Sequence, residues 1–279
     1  MQTNHKKQAD SSTVEWPRIT IVTPSFNQAT YLERTIKSVL DQGYPNLEYI
    51  VVDGGSTDGS EEIIRKYESQ LSWWVSEKDR GQAHAINKGL QRATGEWVAW
   101  QNSDDIYYYQ AFSNLAALAK KNPQADLIIG DVYLIDEFDV PFRELRYTKP
   151  SYKSLIAEGY VLTNQAAFWR RDLQQKTGLI DENYHCSFDY DWFLRLAEHS
   201  SQSFHAKKIW GGYRFHSATK TTQQAAVFIK EMGQILSGRE MPAWKRGVYR
   251  FRRYMQLLLA GHLIYLLKGM FSRLRGKSF

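Results

Sequence analysis

Between Ile19 and Trp100 the same pattern comes round four times: a short strand-forming run stops at a polar or glycine-rich turn, and after the first three a stretch with helical periodicity follows. Ile19-Thr20-Ile21-Val22-Thr23 stops at Pro24, and Leu32, Ile36, Val39 and Leu40 then recur on one helical face. Leu47 to Asp53 is followed by Gly54-Gly55-Ser56-Thr57-Asp58-Gly59, and Ser60 can cap a helix carrying Ile63, Ile64 and Tyr67. Trp73 to Ser76 precedes a helix containing Ala85, Ile86 and Leu90, and Trp97 to Gln101 is the fourth strand. Strands separated by helices need crossover connections. The expected fold class is therefore α/β, a mainly parallel sheet with helices on both faces.

Farther along, residues 107 to 121 read as a helix and Leu127 to Tyr133 as a fifth strand. Residues 136 to 150 lose periodicity and are expected to be irregular, and helical spacing resumes from Asp191 to Ala197. Chemistry gathers where strands end. Asn102-Ser103-Asp104-Asp105 closes the fourth strand with adjacent carboxylates, whose mutual repulsion a divalent cation or substrate hydroxyls would relieve. An isolated Asp-Asp turn would be the plainer reading. The single Cys186 excludes a disulfide framework or a cysteine-built metal site. Gly54 to Gly59 does not fit Gly-x-Gly-x-x-Gly, and Phe271 occupies the first glycine of a Walker-like Gly276-Lys277-Ser278. Both nucleotide motifs are set aside.

Five segments together resemble the inverting, GT-A-fold glycosyltransferases of family 2. They are Ile21 to Asn27, Ile50 to Gly59, Asp79-Arg80-Gly81 through Gly89, Asn102 to Asp105, and Phe188-Asp189-Tyr190-Asp191 through Arg195. The resemblance implies a nucleotide-sugar donor (UDP-, GDP- or dTDP-linked), with Thr23, Pro24, Ser25, Asp53, Asp79, Gly81, Asn87 and Asp104 as donor contacts. Asp53 at a strand end would suit an N–H of the base, although it could equally cap its own turn. Asp105 would bind Mn²⁺ or Mg²⁺, with Asp104 on the ribose or a metal-bound water. Asp189 would be the catalytic base. Asp191 reads instead as an N-terminal charge favourable to the helix dipole. His216 matches a histidine that some GT-A enzymes use as a further metal ligand, although a lone histidine is more often structural. Asn164 and Gln165 fall in the acceptor-facing segment. The chain departs from the family at Phe188, where glutamate is common, and at Asn164, where histidine is common.

The domain boundaries expected are a polar leader at 1–17, the GT-A domain at 18–238 and a tail at 239–279. From Arg239 onward ten Lys/Arg face a single acid, Glu240, so the net charge of +6 belongs to the tail and the rest is slightly acidic. Trp244, Val248, Phe251 and Met255 recur at helical intervals among basic residues, and residues 254 to 267 are nearly all apolar. That run is short of the roughly 20 residues a bilayer span needs. An interfacial helix on anionic lipid is expected, with packing on the protein's own core or a second subunit as the alternative. Residues 1 to 13 lack the apolar core of a signal peptide, so the expected location is the cytoplasm, on the inner membrane face.

The expected activity is a metal-dependent sugar transfer to a saccharide, in particular a lipid-linked one in cell-surface polysaccharide assembly. A sugar nucleotidyltransferase would want a glycine-rich basic loop after the first strand, where Pro24-Ser25-Phe26-Asn27 stands. A non-catalytic saccharide-binding relative is compatible with Phe188 and Asn164. Nucleic-acid binding is disfavoured by the slightly acidic main domain.

Overall fold

The computed structural model describes residues 16–216 and 224–267. The first four strands are β1 (Ile19–Ser25), β2 (Leu47–Asp53), β3 (Trp73–Ser76) and β4 (Trp97–Trp100), all mutually parallel where they pair. The helices between them are α1 (Ala29–Leu40), α2 (Ser60–Lys66) and α3 (Gln82–Arg92). Each helix lays its apolar face on the sheet: Leu32, Ile36 and Val39 of α1 are buried, as are Ala85, Ile86 and Leu90 of α3. The remaining elements are β5 (Ile106–Tyr107), α4 (Ala111–Lys121), β6 (Leu127–Ile135), β7 (Pro141–Leu145), α5 (Tyr152–Glu158), β8 (Ala167–Arg170), α6 (Arg171–Thr177), α7 (Phe188–His199) and β9 (Ser203–Arg214), then α8 (Ala225–Leu236) and α9 (Ala243–Leu259).

One sheet takes all nine strands in the order β3-β2-β1-β4-β8-β6-β9-β5, with β7 paired to β6. The order runs outward from β1 through β2 to β3, then restarts on the other side of β1 with β4. That reversal leaves a crevice beyond the carboxyl ends of β1 and β4, the place where open α/β sheets bind ligands. β8 is antiparallel to both its neighbours, whereas β6 and β9 are parallel.

Two local expectations are corrected. Ile106 and Tyr107 are a strand paired to Gly212 and Gly211, so the helix expected over 107 to 121 begins only at Ala111. The excursion at 136 to 150 contains β7, a hairpin partner of β6. Its Pro141-Phe142-Arg143 half is exposed and carries no burial pattern to betray it.

An aromatic cluster fixes α7 to the sheet. Phe193 stacks on Trp100 at 5.3 Å, and Trp169 meets Trp100 edge-on at 5.4 Å and Trp192 at 5.9 Å. Each of these rings is buried, and truncating one such side chain costs ~3–5 kcal/mol. The start of α7 therefore has a fixed position relative to the end of β4. A smaller core joins Leu155 of α5 and Tyr190 and Leu194 of α7 to Ile235 of α8. α9 docks through its polar side: Arg246 Nε donates to the Ala157 carbonyl at 3.3 Å, and Arg253 Nη1 lies 3.4 Å from Glu158 Oε2. Leu257 is buried, while Trp244, Val248, Phe251 and Met255 face solvent. Gly261, at φ +84°, breaks the chain after α9 before helix resumes at 263. No helix of the described residues is long and apolar enough to cross a membrane. The expected leader lies outside them save Trp16 and Pro17, and Trp16 packs edge-on against Tyr44.

Candidate active site

A cavity of about 930 Å³ opens at the reversal of strand order. One wall comes from the first three loops. Asn27 N donates to Ser56 Oγ (2.8 Å), Thr57 N to Asn27 Oδ1 (2.9 Å) and Ala29 N to Asp58 Oδ2 (2.9 Å), which clamps the loop after β1 to the loop after β2. Pro24, Ser25, Gly54, Asp79 and Gly81 line this wall. Gly54 is needed there, because a Cβ would stand 2.6 Å from Asp79 Oδ2.

Asp53 is placed differently from the expectation that it meets the base. It is fully buried and does not line the cavity. Its oxygens accept from Gly55 N (3.1 Å), Ser56 N (2.9 Å), Ser56 Oγ (2.6 Å) and Ser76 Oγ (2.7 Å), so it organises its own turn and leaves Asp79 as the carboxylate on the wall. Thr23 is also buried, with Oγ1 3.1 Å from the Tyr49 hydroxyl. Asn87 is a brace: its Nδ2 donates to the Ile180 carbonyl (2.9 Å) and its Oδ1 accepts from Ile180 N (2.9 Å), tying α3 to the approach to α7. Neither of these two lines the cavity.

The adjacent carboxylates after β4 divide. Asp104 lines the cavity, and its Oδ2 lies 3.1 Å from His216 Nε2. Asp105, expected as the metal ligand, is fully buried. It accepts from Arg214 N (2.8 Å), Gln165 Nε2 (2.7 Å) and Asn102 Nδ2 (3.0 Å). Burial, and next the charge of Asp104, push its pKa well above the ordinary carboxylate value. Asp105 thus links three segments and presents no oxygen to the cavity. Asp104 is the one of the pair that faces the cavity, and His216 beside it does not line it. Among the described residues no group of three or more His, Cys, Asp and Glu could hold a metal. The Asp104 carboxylate fits a Mg²⁺ or Mn²⁺ ion whose remaining ligands are substrate oxygens, whereas the neighbouring imidazole is a poorer but adequate partner for Mn²⁺.

Asp189, in the first turn of α7, also lines the cavity, with Tyr160 OH donating to its Oδ1 at 2.8 Å and Tyr190 N at 2.7 Å. Burial, then the Asp189 charge, push the Tyr160 phenol far up, so it remains a donor. Asp191 turns away and pairs with Arg195 (2.7 Å), as expected of a helix-start acid. Asn164 and Gln165 form part of the wall, on a helical turn over Gly211, where a Cβ would come within 2.1 Å of the Gln165 carbonyl. Three buried polar atoms on the walls, Ser25 Oγ, Asn164 Nδ2 and Gln165 Oε1, have no hydrogen-bond partner among the described residues. Such atoms are costly unless a ligand or water meets them.

Sequence reasoning missed Lys78, Arg146, Tyr160, Arg253 and Tyr265 on the cavity walls. Lys78, in the same loop as Asp79, was within reach of the motif. The others carry no local signal.

Residues 20–193 match the family described as Glycosyl transferase family 2. The chain belongs to that family. An uncharacterized glycosyltransferase of Rickettsia typhi is 30% identical over 237 residues, covering 80% of this chain and 71% of the relative. The putative teichuronic acid biosynthesis glycosyltransferase TuaG of Bacillus subtilis is 44% identical over 92 residues, 32% of this chain and 36% of TuaG. Among solved structures, S. aureus TarS 1–349 in complex with UDP superposes with a TM-score of 0.63 at 17% identity, covering 82% of this chain and 68% of that one. The mannosyltransferase PcManGT of Pyrobaculum calidifontis, in complex with GDP-Man and Mn²⁺, gives 0.61 at 19% identity over 98% of this chain and 80% of that one. Both share the GT-A fold with this glycosyltransferase.

Proposed function

We propose that this glycosyltransferase moves a sugar from a nucleotide-sugar donor to a saccharide hydroxyl with inversion at the anomeric carbon. The observation that carries the reading is one cavity with Asp79, Asp104 and the first-loop residues on one wall and a braced Asp189 on another. The acceptor oxygen attacks the anomeric carbon opposite the departing diphosphate, the carbon–diphosphate bond breaks, and Asp189 takes the acceptor's proton. Tyr160 and the Tyr190 amide hold one oxygen of Asp189 and so fix the carboxylate's orientation. Pro24, Ser25, Asp79 and Gly81 hold the nucleoside. Asp104 and His216 would hold Mn²⁺ or Mg²⁺ against the donor diphosphate, where the ion draws charge from the leaving group. Asn164 and Gln165 contact the acceptor.

The outward stripe of Trp244, Val248, Phe251 and Met255, beside Lys245, Arg250 and Arg252, supports docking on anionic lipid from the cytoplasmic side and hence a membrane-borne acceptor. Such an acceptor suits polysaccharide assembly at the cell surface, and the relative TuaG carries the name of a putative teichuronic acid biosynthesis glycosyltransferase.

The test is a panel of UDP-, GDP- and dTDP-sugars with Mn²⁺ or Mg²⁺, scored for nucleoside diphosphate release. Asp189→Asn is expected to lower kcat by about 10²–10⁴ with donor binding retained. Full activity in that variant would remove Asp189 as the base.

A further inference from the structure

Part of the cavity wall is built by residues that the transfer step does not use. Leu145, Arg146 and Tyr147 leave β7, and Arg253 of α9 and Tyr265 beyond it close on them, with Arg146 N donating to the Tyr265 hydroxyl at 3.5 Å. The Tyr147 phenol lies close enough to feel both Arg253 and Tyr265, and it donates to Thr163 Oγ1 at 3.2 Å. The two guanidiniums are anchored from behind. Arg146 Nε meets Glu144 Oε2 at 2.8 Å and its Nη1 meets Asp131 Oδ2 at 2.9 Å, while Arg253 Nη1 lies 3.4 Å from Glu158 Oε2. Asp131 is fully occupied by further bonds from Tyr147 N and His205. None of these three carboxylates lines the cavity, whereas Arg146 and Arg253 both do. Nη2 of each arginine makes no hydrogen bond among the described residues. Anchored forks with spare N–H groups match phosphate or carboxylate oxygens in geometry and charge.

We propose that Arg146, Arg253 and Tyr265 form an anion-reading subsite for the acceptor, holding a phosphate or carboxylate carried by the saccharide that receives the sugar. The inference rests on the transferase reading and adds to it the class of recipient. It also makes the C-terminal segment part of the substrate site. Arg253 lies on the same helix as the solvent-facing stripe of Phe251 and Met255, so a phosphate at the base of a membrane-borne saccharide is the source that this placement favours.

The experiment uses the full chain and two matched acceptor pairs. One pair is undecyl-diphosphate-linked N-acetylglucosamine against its neutral undecyl glycoside, and the other is a methyl glucuronide against the methyl glucoside. Arg253→Gln is expected to raise the acceptor KM of an anionic member at least tenfold, equivalent to about 1.4 kcal/mol. Its neutral counterpart and donor hydrolysis without acceptor stay unchanged. Arg146→Lys, which keeps the charge against Asp131 but not the fork, is expected to act in the same direction. Discrimination confined to the diphosphate pair identifies phosphate as the anion, and discrimination confined to the glucuronide pair identifies a carboxylate. Equal effects on charged and neutral members, or none, overturn the subsite. Calorimetric binding of the same four compounds with UDP present is read even where no transfer occurs, so a failed subsite and a failed transferase reading separate.

Discussion

Glu231 offers the sharpest physical test of how the site is held. It lies on α8 and is 5% exposed, and its oxygens accept three successive backbone amides: His185 at 2.8 Å, Cys186 at 2.9 Å and Ser187 at 2.8 Å. These amides lead directly into α7 and Asp189. Burial pushes the Glu231 pKa up, but the three N–H donors outweigh it and the net shift is downward. Charge-assisted hydrogen bonds are worth roughly twice neutral ones, which contribute about 1 kcal/mol each. Glu231→Gln keeps the shape but turns one accepting oxygen into an NH2 donor, so at least one amide loses its acceptor and the remaining bonds lose the charge, for an expected cost of ~3 kcal/mol at pH 7. For a chain of this size that lowers Tm by roughly 6–12 °C. A carboxylate whose folded pKa is depressed stabilises above its unfolded pKa, and that contribution is lost as pH falls through the folded value. The gap between parent and variant should therefore be full at pH 7 and shrink as the pH is lowered below the unfolded glutamate value, about 4.3. Denaturant titrations at a series of pH values measure it. A gap below 1 kcal/mol at pH 7, or one that is independent of pH, would refute the reasoning.

Further outcomes follow from the same geometry. Asp104→Asn is expected to weaken Mn²⁺-dependent donor binding at least tenfold in calorimetric titration with unchanged Tm, while Asp105→Ala, which strips three donors of their acceptor, should lower stability by ~3–5 kcal/mol. Gly211→Ala should cost ~1–3 kcal/mol and reduce turnover, because its Cβ would displace the Gln165 carbonyl, and differential scanning calorimetry with initial rates reads both. Phe251→Glu, on an exposed face, should abolish co-sedimentation with anionic vesicles without moving Tm; unchanged partitioning would count against membrane docking.

The β-α units were legible because their periods are local: the α1 and α3 faces and the β1 and β2 runs fall where the spacing puts them. β5 was not, because Ile106-Tyr107 is a strand only through Gly211 and Gly212, far away in the chain. The motifs marked loops that line the cavity but could not say which of two neighbouring carboxylates looks outward. Asp104 and Asp105 look equivalent in sequence, and only the donors from Gln165 and Arg214 turn Asp105 inward. The same holds for Asp53, whose oxygens its own turn consumes. Glu231 carries no motif at all. Its role arises from where α8 comes to rest.

The cavity's walls come from two consecutive stretches of chain, one at positions 24 to 104 and the other at 145 to 265. One recombination crossover between these stretches would set an existing wall against a new one in a single genetic event. The joint that such a hybrid must preserve is extensive: Asp105 with Gln165 and Arg214, the β4–β8 pairing, the Asn87–Ile180 brace, and Trp100 against Trp169 and Phe193.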